Sequence, residues 1–151
     1  MKILVAYYSK SGNTRKIAEE LAKNLKADID EIKDKKRRGF FGTWIKGTRQ
    51  AMNQKSSEII FNKNPKDYDL IVLGGPVWAW NLIPPLRSYL EKNKNSIKKL
   101  AFFLTYGGND GKNLEQVAEM KKPIATMRII DKDVKSGNYQ KQMRDFIKKL
   151  K

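Results

Sequence analysis

Cysteine and histidine are both missing from this 151-residue chain. Without cysteine there are no disulfides, no thiolate redox chemistry and no iron–sulfur ligation. Without histidine the chain lacks the usual general base near neutral pH and the commonest metal ligand, so an intrinsic Ser-His-Asp site is excluded. Difficult chemistry is therefore expected from a bound cofactor. No apolar run is long enough to cross a bilayer as a helix, and no transmembrane segment is expected. The opening residues, MKILVAYYSK, enter a strand pattern at once, with no apolar leader core and no small-residue cleavage site. That pattern predicts a cytoplasmic protein.

Acidic residues are the other shortage. There are 32 Lys plus Arg against 16 Asp plus Glu, a formal net charge of +16. Residues 1–75 carry 16 basic and 9 acidic side chains, and residues 76–151 carry 16 and 7. The excess is thus spread along the chain rather than held in a basic tail. Such a field attracts polyanions, anionic membranes and acidic proteins without defining a site. Hydrophobic residues make up 40% of the chain, in short periodic runs, which argues against disorder. The length suits one domain covering 1–151.

Residues 3–8, ILVAYY, read as a buried strand. After SKSGNT, a helix to about Lys26 carries Ile17, Ala18, Leu21, Ala22 and Leu25 on one stripe. A short strand is expected over 27–32. A basic turn region, KDKKRRGFFG, then precedes a helix over about 43–53 and a polar linker over 54–67. DLIVLG at 69–74 is apolar enough to be covered on both faces of a sheet. Pro84-Pro85 suits the first turn of a helix over 84–92. KLAFFLT at 99–105 reads as a core strand, 112–120 as a helix and IATMRII at 124–130 as a fifth strand. Tyr139, Met143, Phe146, Ile147 and Leu150 define a last amphipathic helix. Strands alternating with helices imply a mostly parallel sheet covered on both faces.

Such sheets bind ligands beyond the carboxyl ends of their strands, near a switch in strand order. Three loops leaving that edge are unusual in composition. Ser9-Lys10-Ser11-Gly12-Asn13-Thr14 joins the first strand to the first helix. It is either a phosphate cradle, using hydroxyls, free helix amides and the nearby charges of Lys10 and Arg15, or an ordinary turn capped by Ser11 or Asn13. It is neither a Walker A motif nor GxGxxG. Gly75-Pro76-Val77-Trp78-Ala79-Trp80-Asn81 carries two tryptophans that either wall a flat ligand, Trp78 before Trp80, or pack under the Pro84-Pro85 turn. Thr105-Tyr106-Gly107-Gly108-Asn109-Asp110-Gly111 offers exposed backbone groups, or is only a flexible connection. Gly75 and Gly107-Gly108 have the backbone freedom for a peptide flip.

Together these segments resemble the flavodoxin superfamily, in its small, short-chain branch. SKSGNT is similar to the family's phosphate loop, Thr/Ser-x-Thr/Ser-Gly-x-Thr, and GGPVWAWNLIPP and FLTYGGNDG resemble its later loops. The resemblance covers nearly the whole chain. It implies a three-layer α-β-α sandwich with a five-stranded parallel sheet in the order 2-1-3-4-5, and FMN as cofactor. By the same resemblance, Ser9, Ser11, Gly12, Asn13 and Thr14, with Lys10 beside them, hold the phosphate. Pro76, Val77, Trp78 and Ala79 border one side of the isoalloxazine. Thr105, Tyr106, Gly107 and Gly108 border the other, and Asn109 and Gly111 close the turn. The basic charge departs from the carboxylate-rich electron carriers of the family.

The implied function is electron transfer through FMN to redox partner proteins with acidic docking surfaces. A flavin-dependent NAD(P)H reductase of quinones or small electrophiles on the same scaffold is the first alternative. The second is nucleic-acid binding, invited by the charge. No zinc finger, helix-turn-helix or RRM-like signature accompanies it, and no specific nucleic acid is expected.

Overall fold

The computed structural model describes residues 1–35 and 57–151. Strand β1 (Ile3–Tyr7) leads to helix α1 (Asn13–Leu25) and strand β2 (Asp28–Glu31). Two-residue strands β3 (Lys33–Asp34) and β4 (Ile59–Ile60) pair antiparallel as a separate small sheet. Then come β5 (Leu70–Pro76), α2 (Pro84–Asn93), β6 (Leu100–Tyr106), α3 (Asn113–Met120), β7 (Thr126–Ile130), α4 (Asp131–Ser136) and α5 (Gln140–Leu150).

The main sheet is parallel throughout, in the order β2-β1-β5-β6-β7. With β3 and β4 set aside, that is the expected order 2-1-3-4-5. Its register is continuous across the centre, with Val5 beside Val72, Val72 beside Ala101 and Phe103 beside Met127.

Alternate residues of each strand face opposite sides of a sheet. Val5, Val72, Phe103 and Ile129 therefore pack with Ile17 and Leu21 of α1, Val134 of α4 and Met143, Phe146 and Leu150 of α5. Leu4, Ile71, Leu73, Phe102 and Leu104 pack on the other side with Leu86, Tyr89 and Leu90 of α2 and Val117 of α3. The result is the expected three-layer sandwich. Each fully buried side chain of this kind stabilises the fold by about 1.5–3 kcal/mol relative to exposure.

Helix α1 buries the stripe Ile17, Ala18, Leu21 and Ala22 and ends at Lys26, whose left-handed backbone lets Ala27 N–H reach Ala22 C=O at 2.9 Å. Pro84 and Pro85 open α2, as expected.

Three details differ from the sequence reading. The fifth strand starts at Thr126, two residues later than expected. Helix α4 was not foreseen. It has six residues and buries only Val134, too few for a periodic signal. Asp131 and Asp133 at its positive end and left-handed Gly137 at its close define it instead. The pair β3–β4 falls in stretches read as a basic turn and a polar linker, because two-residue strands show no alternation. The helix expected over 43–53 lies outside the described residues. Among the described residues no helix is long and apolar enough to cross a membrane.

Candidate cofactor site

Strands β1, β5 and β6 are consecutive neighbours and all run the same way. Their carboxyl ends therefore lie together, and the three loops singled out in the sequence meet at one edge of the sheet. β1 is flanked by β2 on one side and β5 on the other, so this edge includes the switch in strand order.

The first loop ends at Gly12, which caps α1 with φ +96°. Neither Ser11 nor Asn13 is the cap. Ser9, further back in the loop, supplies the side-chain acceptor: its Oγ accepts from the Gly12 and Arg15 amides, both at 3.2 Å. Both lone pairs of the hydroxyl are then engaged and its proton remains to be donated. Lys16 N–H bonds Gly12 C=O at 3.0 Å. Of the four orphan amides that begin a helix, those of Asn13 and Thr14 thus keep no acceptor among the described residues. Two N–H donors, the helix dipole and a hydroxyl proton are thus available at the start of one helix, which is the chemistry a phosphate requires.

Thr14 behaves differently from its neighbours. Its side chain is buried, and its Oγ1 lies 2.8 Å from Oγ1 of buried Thr105 at the end of β6. One hydroxyl must donate to the other, so this pair ties the first loop to the third.

In the second loop Trp78, Ala79, Trp80 and Asn81 make a tight turn, closed by Asn81 N–H donating to Trp78 C=O at 3.1 Å. Its central residues are both left-handed, Ala79 at φ +48° and Trp80 at φ +60°. Turns of this form normally carry Asn or Gly at those places. An L-residue there costs roughly 1–2 kcal/mol. Trp78 is half-buried, set edge-on to Tyr8 with ring centroids 5.6 Å apart. The Lys10 ammonium lies 5.8 Å from the Trp78 ring centroid, within cation–π range. Partial loss of water lowers the pKa of Lys10 below the ordinary lysine value. Trp80 is 63% exposed, which rules out packing beneath the Pro84-Pro85 turn.

The main chain of Trp80 is nonetheless pinned. Lys112 N–H donates to its carbonyl at 2.9 Å. A Cβ on Gly111, at φ +57°, would sit 2.0 Å from the same oxygen. Only glycine lets the second and third loops come this close. Val77 N–H adds a bond to Thr105 C=O at 3.2 Å. Asn109 Oδ1 accepts from Gly111 N–H at 2.6 Å and closes the third turn.

Gly107 and Gly108 answer to neither constraint. Neither has a positive φ, and a Cβ on Gly108 would meet nothing within 4 Å. The protein itself does not demand glycine there. A flat group lying over that open backbone would. Gly75, by contrast, sits inside β5, where a Cβ would come 2.6 Å from Leu86 Cδ1. Gly75 serves the packing of α2.

The structure thus gathers the sequence-predicted residues at one edge. Ser9, Lys10, Ser11, Gly12, Asn13 and Thr14 occupy the first loop and helix start, Pro76 to Ala79 the second loop, and Thr105 to Gly111 the third. Tyr106, at the end of β6, also lines a groove of about 300 Å³ with Arg128, Gln142 and Phe146 near the sheet's β7 edge. Sequence reasoning missed Tyr8 and Gln116, which support the tryptophan turn, and Arg128. Nothing in local spacing marks them, since each acts across the fold. Arg128 Nη1 bonds Asp110 Oδ2 at 2.6 Å, tying up the one carboxylate of the third loop. The unclaimed amides and the helix dipole at the α1 start fit the phosphate of an FMN.

The family model described as Flavodoxin matches residues 2–150. Among solved structures, the chain is similar to a flavoprotein from Lactobacillus acidophilus NCFM in complex with FMN, with 29% identity and a TM-score of 0.73 over 89% of this chain and 97% of that one. It is also similar to the apo-form of the flavoprotein from that organism, with 30% identity and a TM-score of 0.66 over 85% and 91%. A flavodoxin from the Archaea, 19% identical, shares the fold with a TM-score of 0.58 over 99% of each chain. No curated protein matches the chain.

Proposed function

This chain belongs to the flavodoxin family, and from that premise we propose that it carries electrons on FMN held across the loops after β1, β5 and β6. The observation that carries the proposal is the pairing of two unclaimed amides at the start of α1 with an unobstructed glycine backbone on the neighbouring loop. The phosphate binds the Asn13 and Thr14 amides, with the hydroxyls of Ser9 and Ser11 and the charge of Lys10 beside them. Pro76 to Ala79 border one side of the ring, with Trp78 held in place by Tyr8. Thr105 to Gly108 border the other, and Asn109 and Gly111 shape that loop. The FMN complex of the Lactobacillus acidophilus flavoprotein supports the choice of cofactor. FMN supplies the redox step. The chain's residues bind, orient and leave one ring edge open to a partner.

Adding excess FMN to the apoprotein, followed by gel filtration, tests this. A yellow complex of one FMN per chain is expected, and a colourless protein peak overturns the proposal. A second reading, an FMN-dependent reductase, draws support from the exposed Trp80 ring, an apolar surface beside the site that a small electrophile can use. NAD(P)H oxidation by the purified holoprotein alone selects that reading, and inertness toward NAD(P)H selects the carrier.

The partners that fit the carrier are proteins with acidic docking surfaces. The net charge of +16 favours them. The bond from Arg128 to Asp110 also masks the carboxylate of the third loop.

A further inference from the structure

We propose that Gln116 is a positioning residue for the flavin ring, an inference that rests on the FMN reading above. Gln116 lies on α3 and is only 5% exposed. Its Oε1 accepts from Leu82 N–H at 2.6 Å, and its Nε2 donates to Asn81 Oδ1 at 2.8 Å. Asn81 Nδ2 in turn donates to Ala79 C=O at 3.1 Å.

The direction of this relay is fixed at both ends. A backbone N–H can only donate, so the Gln116 atom facing Leu82 must be oxygen. Its nitrogen then faces Asn81, which must present oxygen, and the Asn81 nitrogen is left for the carbonyl of Ala79. A buried amide thus runs from the backbone after the tryptophan turn to the backbone within it.

The relay ends on the peptide where the turn is least comfortable. Ala79 and Trp80 are both left-handed without glycine's freedom, and strained backbone persists only when its surroundings hold it. The relay grips the turn at Ala79 C=O, and Lys112 N–H grips it at Trp80 C=O. Lys112 and Gln116 belong to the same segment, since Gln116 N–H bonds Lys112 C=O at 2.9 Å. Helix α3 therefore holds the whole turn against the third loop before any ligand arrives. Trp78 begins that turn, so the ring wall is preformed, and preformed sites avoid the cost of ordering on binding.

Three variants break the relay. Gln116→Leu deletes it. Gln116→Glu keeps the size, but its carboxylate cannot donate to Asn81, and turning Asn81 over sets its oxygen against Ala79 C=O. Asn81→Ala cuts the relay at a half-buried position with little cavity. In each, riboflavin and FMN are expected to bind about tenfold more weakly, from the loss of one or two hydrogen bonds. Affinity for inorganic phosphate, read by competition at the α1 start, is expected to stay within twofold. Adding Ala79→Gly to Gln116→Leu relieves the left-handed strain and is expected to recover much of the lost affinity. A purely structural defect would weaken phosphate and flavin alike and would not be rescued at Ala79. Wild-type-like FMN affinity in all three variants overturns the proposal, as does equal loss of phosphate and flavin. Wild-type protein that takes up no FMN overturns the FMN reading first and this inference with it.

Discussion

Two glycines of the third loop differ in what surrounds them. Gly111 has φ +57°, and a Cβ there would stand 2.0 Å from Trp80 C=O. Gly108 has room around it and an ordinary backbone. Gly111→Ala is expected to lower stability by about 1–3 kcal/mol, through overpacking and backbone strain, and to weaken FMN binding as the two loops part. Gly108→Ala is expected to leave the melting temperature unchanged and still weaken FMN, because its methyl enters only the space over the loop. Thermal melts paired with flavin titrations check this. Equal FMN affinity in Gly108→Ala and wild type would remove the ligand explanation for that glycine. Both residues stand out in the sequence as members of YGGNDG. Which of them answers to a neighbour and which to open space depends on where Trp80 sits, far away along the chain.

At the level of elements, the central strands are held by a fit between β5 and β6. Gly74 lies beside Phe103, and a Cβ on Gly74 would fall 2.1 Å from the Phe103 ring. Gly74→Ala forces that ring aside in a close-packed core, and a loss of about 1–3 kcal/mol is expected from urea denaturation. An unchanged midpoint would mean that Phe103 has another rotamer to occupy. β1, β5 and β6 were legible because a strand covered on both faces reads as a continuous apolar run, as in ILVAYY and KLAFFLT. Helices α1, α2 and α5 were legible through apolar stripes or a proline start. Helix α4 and the β3–β4 pair were not, because elements of six and two residues are shorter than the periods that reveal them. Tertiary contacts, such as Val134 against the core, set their bounds.

For the molecule as a whole, the proposal of acidic partners rests on the excess of positive charge. Electron transfer from the FMN-loaded protein to an acidic redox protein is expected to slow steeply as ionic strength rises from about 0.01 to 0.5 M, since the Debye length falls from about 30 Å to a few ångström. A basic acceptor of similar potential is expected to react slowly at low salt and gain as salt is added. Stopped-flow rates over that range check it. Rates to the acidic partner that ignore salt would mean the charge does not guide docking. The charge is legible at a glance, but not its placement: the pairing of Asp110 with Arg128 appears only once β7 lies beside the third loop.

The amino-acid sequence alone determined the alternation of strands and helices, the three loops at the ligand edge and the sign of the field around them. These follow from local composition and short-range periodicity, which any stretch of chain carries within itself. The three-dimensional structure alone decided that Ser9, rather than Ser11 or Asn13, accepts from the amides at the start of α1, that Thr14 bonds Thr105 and that Gln116 bonds the tryptophan turn. The first depends on the loop's own folded path, whereas the other two depend on groups up to 91 residues apart meeting at bonding distance, and the stacking of strands β1, β5 and β6 side by side brings those there.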